Sequence, residues 1–205
     1  MTPARIHARL PVAPGMKVGL FGGSFDPAHE GHLHAAETAM ARLGLDRVIW
    51  LVSPGNPLKP DRADDLERRA KAARQVSRGR RMVVSGIEAA LGTRFTLDTV
   101  RALKRRHPGV RFVWVMGADN LVEFHRWRGW AVLFREIPIA VVARPGQAVR
   151  GRLAVAARRF ATARLPASRA RLLPYLRPPA WTYLPAPWNH QSSTALRSRF
   201  RAAGA

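Results

Sequence analysis

The sequence predicts an α/β protein built on a parallel sheet. Short apolar runs recur along the chain, they are apolar throughout instead of at alternate positions, and helix-forming segments separate them. A strand with one wet face alternates in polarity. A strand buried on both faces does not, and burial on both faces marks a parallel sheet covered by crossover helices. The 205 residues, 47% of them hydrophobic, suit a single domain with a core of its own.

The elements follow in order. Lys17–Phe21 reads as a first strand that runs into the turn Gly22-Gly23. Gly31–Leu43 supplies helix formers and stops at Gly44, a C-cap glycine. Arg47–Val52 is a second strand, and the Pro-rich stretch Ser53–Pro60 after it can only be a loop. Asp64–Arg78 is a basic helix, Arg81–Ser85 a third strand, and Thr96–Arg106 a helix broken by Pro108-Gly109. Val110–Met116 is a fourth strand leading into Gly117-Ala118-Asp119, and Ile137–Ala143 a fifth that ends at Arg144-Pro145-Gly146. Val149–Leu165 reads as a basic surface helix and Trp181–Leu184 as a last short strand. The Pro-rich stretch Leu165–Pro187 has the composition of a linker. The segments that carry chemistry lie on either side of it, however, which favours one domain over residues 17–205 behind a flexible arm, residues 1–16.

Composition narrows the function. Cysteine is absent, which excludes a disulfide scaffold, a thiolate metal site and a cysteine nucleophile. The longest apolar runs, such as Ile137–Ala143, are too short to span a bilayer, and Met1–Met16 has no apolar signal core. The expectation is a soluble, cytoplasmic protein. The net charge is +22, unevenly spread. Residues 1–136 carry 23 bases against 13 acids, whereas residues 137–205 carry 12 arginines and no acid. Such a field favours polyanionic partners, either nucleic acid, an anionic membrane surface or phosphorylated small molecules. Only four of the 35 bases are lysines, as an Arg-favouring composition would give. The basic cluster Arg62–Arg81 has no interleaved aromatic, Arg150–Arg177 has only Phe160 and Tyr175, and there is no RRM, KH or zinc-finger pattern, so neither nucleic acid nor membrane is expected as a partner.

The strongest chemical signal is Gly22–His32, Gly-Gly-Ser-Phe-Asp-Pro-Ala-His-Glu-Gly-His, where the first strand gives way to a helix. Its glycines let backbone approach a ligand, and the helix N-terminus beyond presents N–H groups and a positive dipole end to phosphate. His29 and His32, three residues apart, share one face of the opening turn and can donate to phosphate oxygens. The spacing is neither a dinucleotide fingerprint nor a P-loop. A metal cluster of His29, His32 and His34 is the competing reading, but no further protein ligand accompanies it. Near the other end, Ser192-Ser193-Thr194-Ala195-Leu196-Arg197 reads as a helix N-terminus with Arg197 one turn beyond Ser193, able to fork onto phosphate.

These two segments resemble the paired signatures of the HxGH nucleotidylyltransferases, with His29-Glu30-Gly31-His32 as the HxGH element. The resemblance implies a Rossmann-like, doubly wound parallel sheet. Within that superfamily the chain is most similar to the bacterial nicotinate-nucleotide adenylyltransferases, from Lys17 to about Arg199. Further matches are Ser53–Lys59, Arg94–Thr99, Met116–Leu121 and Trp127. What the resemblance implies is adenylyl transfer from ATP to nicotinate mononucleotide, giving deamido-NAD and pyrophosphate. Gly22, Gly23, Ser24 and Phe25 would line the nucleotide phosphates and Asp26 would hold the turn. His29 and His32 would contact the triphosphate, His32 chiefly at the α-phosphate. Gly117, Asp119, Arg144, Ser193 and Thr194 would form the adenosine and phosphate side, and Arg197 would clamp the β- and γ-phosphates. Ser24, Lys59, Thr96 and Trp127 would hold the mononucleotide, Trp127 by stacking on its ring, although Trp130 nearby makes packing the competing role. Mg²⁺ would ride on the ATP phosphates and water, with no protein metal ligand. Gln191 departs from the aliphatic residue usual in the family, and the chain stops at Ala205 where many relatives carry a further helix. Sister enzymes acting on nicotinamide mononucleotide or phosphopantetheine are the nearest alternatives.

Overall fold

The structure, a computed structural model, describes residues 9–54, 66–143 and 153–185. Seven strands form one parallel sheet: β1 (Lys17–Gly23), β2 (Arg47–Val52), β3 (Met82–Ser85), β4 (Arg111–Gly117), β5 (Ile139–Ala143), β6 (Arg164–Leu165) and β7 (Trp181–Pro185). Their order is β3-β2-β1-β4-β5-β7-β6. The chain winds outward from β1 in one direction, then returns to β4 and winds in the other, so the crevice between β1 and β4 is where the order reverses. Phe21 pairs with Val115, which brings Gly23 and Gly117 to the same level at the ends of these two strands.

The continuous apolar runs are explained by cover on both sheet faces. On one face Leu20, Leu51, Trp114, Met116 and Val141 meet α3 (Ile87–Leu91), α4 (Thr96–Arg106), α5 (Ala118–Glu123), α6 (Trp130–Glu136) and α7 (Val155–Arg159). On the other, Phe21, Trp50, Val52, Val115 and Val142 meet α1 (Glu30–Leu43), α2 (Leu66–Val76) and a 3-10 segment, Ala167–Tyr175. The α1 helix ends where predicted, at Gly44, which has φ 62° and donates its N–H to the Met40 carbonyl.

Two expectations need correction, and the single-domain reading stands. Of the arm expected over residues 1–16, residues 1–8 lie outside the described residues, and the rest is anchored at Leu10 while Pro11 and Ala13–Gly15 stay exposed. Leu10 is buried in the core of the α3–α6 face, and the Gly15 N–H donates to the Gly109 carbonyl at 2.8 Å. The described residues of the helix expected over Val149–Leu165 form a short α-helix, Val155–Arg159, and a 3-10 turn, Ala161–Ala163, instead of one continuous helix. There the Trp181 Nε1 donates to the Phe160 carbonyl at 2.7 Å, and Arg164–Leu165 leaves the helical path to pair with β7. The Pro-rich stretch that could have been a linker is instead cover for the sheet, since Ala170 and Leu173 are buried against the α1 side.

Candidate active site

The loop from β1 to α1 is shaped by its own side chains. A Cβ on Gly22 would run into the Trp114 Cη2 and lie 2.6 Å from its Cζ2, so only glycine lets the Trp114 indole pack beneath this strand end. Phe25 has φ 48°, a left-handed conformation that bulky side chains rarely adopt and that costs about 1–2 kcal/mol. Packing holds it there. The Phe25 ring is fully buried, stacks on Trp50 at 5.1 Å, and meets Phe21 and His32 edge to face at 5.5 and 5.1 Å. Asp26 accepts from the Arg68 Nη2 at 3.3 Å.

His29 is the N-cap of α1, not a residue of its first turn as the spacing suggested. Its Nδ1 accepts from the Gly31 N–H at 3.1 Å, and the His32 Nδ1 accepts from the His29 N–H at 3.2 Å. The two imidazoles thus form a reciprocal capping box, with ring centroids 3.9 Å apart. A ring nitrogen that accepts from an N–H carries no proton, so this pattern assigns the proton of each neutral ring to Nε2. His29 is buried and His32 half-buried. Histidine here does what Ser or Asp does at other caps, and in addition each ring has an Nε2–H donor.

On the opposite sheet face, Thr96 is the first residue of α4 and Trp127 follows the turn Phe124–Arg126. Trp127 is half-buried, edge to face with Trp114 at 6.2 Å and 5.0 Å from Phe124, while Arg126 and Arg128 on either side are exposed. The Trp127 ring is therefore packed against Trp114 and Phe124 and only partly exposed overall. The two segments are pinned together: Arg128 lies 4.5 Å above the Phe95 ring, and Gly129, at φ 66°, is so close to Leu97 that a Cβ would sit 2.7 Å from its Cδ2. Trp114 connects this wall to the β1 loop, because its indole lies under Gly22 and against Trp127. At the end of β4, Gly117 caps α5, and a Cβ there would strike the Asp119 Oδ1. Asp119 is exposed at that helix start.

Glu88 lies behind the wall, buried in α3. The Thr99 Oγ1 donates to its Oε1 at 3.0 Å, and the Thr93 and Thr99 hydroxyls are 2.9 Å apart. Burial pushes the Glu88 carboxyl up to about 7, with the Thr99 hydrogen bond pulling the other way. Among the described residues no three His, Cys, Asp or Glu side chains are grouped to hold a metal ion, so these residues do not fit a resident magnesium cage. The histidine trio offered as a metal cluster is one case: the Nδ1 atoms of His29 and His32 are committed to backbone N–H groups.

Of the residues expected at a site, Gly22, Gly23, Ser24, Phe25, Asp26, His29 and His32 gather at the β1 exit, Gly117 and Asp119 at the β4 exit, and Thr96 and Trp127 on the far wall. Lys59, Arg144, Ser193, Thr194 and Arg197 lie outside the described residues. Sequence reasoning missed Trp114, Glu88 and Arg69, the last buried on α2 with its guanidinium donating to the Ser24 and Ser53 carbonyls. Only Arg69 left a signal, a charge on the apolar stripe Leu66, Ala70, Ala73 of α2.

Residues 20–199 match the family model described as cytidylyltransferase-like. A protein of Caulobacter sp. (strain K31) named "Probable nicotinate-nucleotide adenylyltransferase" is 57% identical over 185 residues, covering 90% of this chain and 98% of its own length. The chain belongs to the nicotinate-nucleotide adenylyltransferase family. Relatives of the same name from Cereibacter sphaeroides and Parvibaculum lavamentivorans are 52% and 50% identical, covering 91% and 92% of the chain and 98% and 94% of their own lengths. Membership in this family makes the protein a nucleotidyltransferase enzyme. The fold agrees with that of the Plasmodium falciparum nicotinic acid mononucleotide adenylyltransferase, solved complexed with APC and with NaAD. Each of those chains matches with TM-score 0.64 at 14% identity, over 89% of this chain and 83% of that one.

Proposed function

We propose that the enzyme transfers the adenylyl group of ATP to nicotinate mononucleotide, forming deamido-NAD and pyrophosphate. The observation that carries this reading is the reciprocal His29–His32 cap at the β1 exit, which assigns two Nε2–H donors at the strand-order switch point. The loop and the Thr96–Trp127 wall stand on opposite sheet faces at its carboxyl edge, an arrangement suited to a ligand with a phosphate centre and two heterocyclic ends. The naming of the close relatives supports the choice of acceptor.

In this reading the Gly22, Gly23, Ser24 and Phe25 backbone lines the phosphates, Asp26 steadies the turn, and His29 and His32 donate to the triphosphate, His32 at the α-phosphate. Gly117 and Asp119, with Arg144, Ser193 and Thr194, form the adenosine side, and Arg197 clamps the β- and γ-phosphates. Ser24, Lys59, Thr96 and Trp127 receive the mononucleotide. A phosphate oxygen of the acceptor attacks the α-phosphorus, a new P–O bond forms, and the bond to the β-phosphate oxygen breaks as pyrophosphate leaves. The nucleophile is already anionic at neutral pH, so no general base is required. Catalysis is positioning together with donors placed where negative charge spreads over the transferring group. Mg²⁺ is assigned to the ATP phosphates and water, not to a protein cage. The cytoplasm, where ATP is made available, is the proposed compartment; no described helix is long and apolar enough to cross a membrane.

Incubation with ATP and nicotinate mononucleotide should release pyrophosphate and deamido-NAD in equal amounts. Pyrophosphate without the dinucleotide, or neither product, overturns the assignment.

A further inference from the structure

The α2 helix turns an apolar stripe to the sheet, with Ala70 and Ala73 buried on it, and Arg69 falls on the same stripe. Arg69 is 4% exposed. A charge that deep is tolerated only when its donors are satisfied, and three backbone carbonyls receive them. The Nη1 donates to the Ser24 carbonyl at 2.8 Å and to the Ser53 carbonyl at 2.7 Å, and the Nη2 reaches the Pro54 carbonyl at 3.5 Å. Ser24 opens the loop between β1 and the His29 cap, whereas Ser53 and Pro54 lead out of β2. A backbone bond from the Ser53 N–H to the Gly23 carbonyl, 3.1 Å, ties the same two segments.

We infer that Arg69 is a positioning residue for adenylyl transfer, whose single guanidinium fixes the orientation of the Ser24–Phe25 peptide against the exit of β2. The C=O and N–H of a trans peptide point in opposite directions, so holding the Ser24 carbonyl toward α2 aims the Phe25 N–H away from it. The conformation of Phe25, at φ 48°, sets where the chain goes next, toward Asp26 and the histidine cap. Arg69 touches no reacting atom in this scheme. It acts through the loop, and its planar fork is what lets one side chain reach several carbonyls in fixed directions; a lysine ammonium is a point charge on a flexible stem. The neighbouring Arg68, bonded to Asp26 and half-exposed, is a weaker second tie.

The kinetic consequence rests on the adenylyl-transfer reading, but the loop geometry does not, and the test separates them. Arg69→Met and Arg69→Lys would be made in the full-length enzyme, with thermal melts recorded for both. Backbone amide exchange in Arg69→Met is expected to quicken at Ser24, Phe25 and Ser53 and to stay unchanged in β4 and β5. Turnover is expected to fall about 100-fold, as for a misplacement of about 1 Å in a transfer site, with KM for ATP changing far less. Arg69→Lys is expected to recover part of both effects, and it carries the test if the Met variant does not fold. Exchange at Ser24 and Phe25 equal to wild type, or turnover per folded molecule equal to wild type, overturns the inference. A wild-type enzyme that transfers no adenylyl group would refute the functional reading instead, while the exchange data would still decide whether Arg69 holds the loop.

Discussion

Replacing Glu88 with Gln removes an ionisable group from between α3 and α4 while keeping its shape and its capacity to accept from the Thr99 hydroxyl. Burial raises this carboxyl from its ordinary 4.5 to about 7. The folded protein therefore keeps a proton over a range in which the unfolded chain has lost it. For an acid with a raised pKa, the folded state binds more protons than the unfolded one in that range. Stability accordingly falls as pH rises from about 4.5, and the loss is complete above about 7. At about 1.4 kcal/mol per pH unit, the rise from 4.5 to about 7 corresponds to roughly 3–4 kcal/mol, most of which falls between pH 5 and pH 8. Urea denaturation of wild type and Glu88→Gln at both pH values isolates the effect, because every other titrating group is common to the two proteins. The Gln variant should gain roughly 2–3 kcal/mol on wild type between pH 5 and pH 8. Parallel stability curves for the two proteins would refute the reasoning, and so would a gain in the acid direction.

Four further outcomes follow from the geometry. His32→Ala should lower kcat by orders of magnitude while ATP affinity, measured by calorimetry, weakens much less; a loss confined to ATP affinity removes its role in the transition state. Gly22→Ala should force Trp114 aside, costing about 1–3 kcal/mol in chemical denaturation, and should raise KM for the mononucleotide more than KM for ATP, because Trp114 also supports Trp127. Trp127→Ala should raise KM for the mononucleotide strongly and Trp127→Phe only slightly; equal effects would reduce Trp127 to packing. Glu136 joins α6 to α4 through Arg101 at 2.9 Å and Lys104 at 3.4 Å. Burial alone would raise its carboxyl, but the Arg101 hydrogen bond and the Lys104 charge outweigh that and hold it below 4.5. Its contribution is present above that value and is lost as pH falls, so Glu136→Gln should cost about 0.5–1 kcal/mol at neutral pH, with the two denaturation curves converging in acid.

Sequence and structure agree where periodicity and punctuation act locally. The second strand, Arg47–Val52, and the helix Thr96–Arg106 have the predicted bounds, and Gly44 ends α1 as a C-cap glycine should. The HxGH segment was legible because glycine and histidine there perform local tasks, a tight strand exit and a helix cap. The short helices Ile87–Leu91, Ala118–Glu123 and Trp130–Glu136 were not, since five to seven residues hold too few turns to display a period. The histidines' roles as cap and donor could not be separated by spacing alone; that took the direction of two backbone N–H groups. Trp114 was read as one more apolar residue of a strand, because its importance lies in Gly22 and Trp127, which only the folded sheet brings to it. The net charge of +22 pointed to anionic partners without choosing among them, and most of the arginines beyond residue 137 lie outside both signature segments.

The most direct test of the central claim is kcat/KM for pyrophosphate release with ATP and nicotinate mononucleotide, set beside the same measurement with nicotinamide mononucleotide and phosphopantetheine. Transfer to nicotinate mononucleotide is expected well above that to the other two acceptors, and it is expected to be lost in His32→Ala. Equal rates with both mononucleotides would contradict nicotinate as the chosen acceptor, and activity with neither would contradict the assignment as a whole.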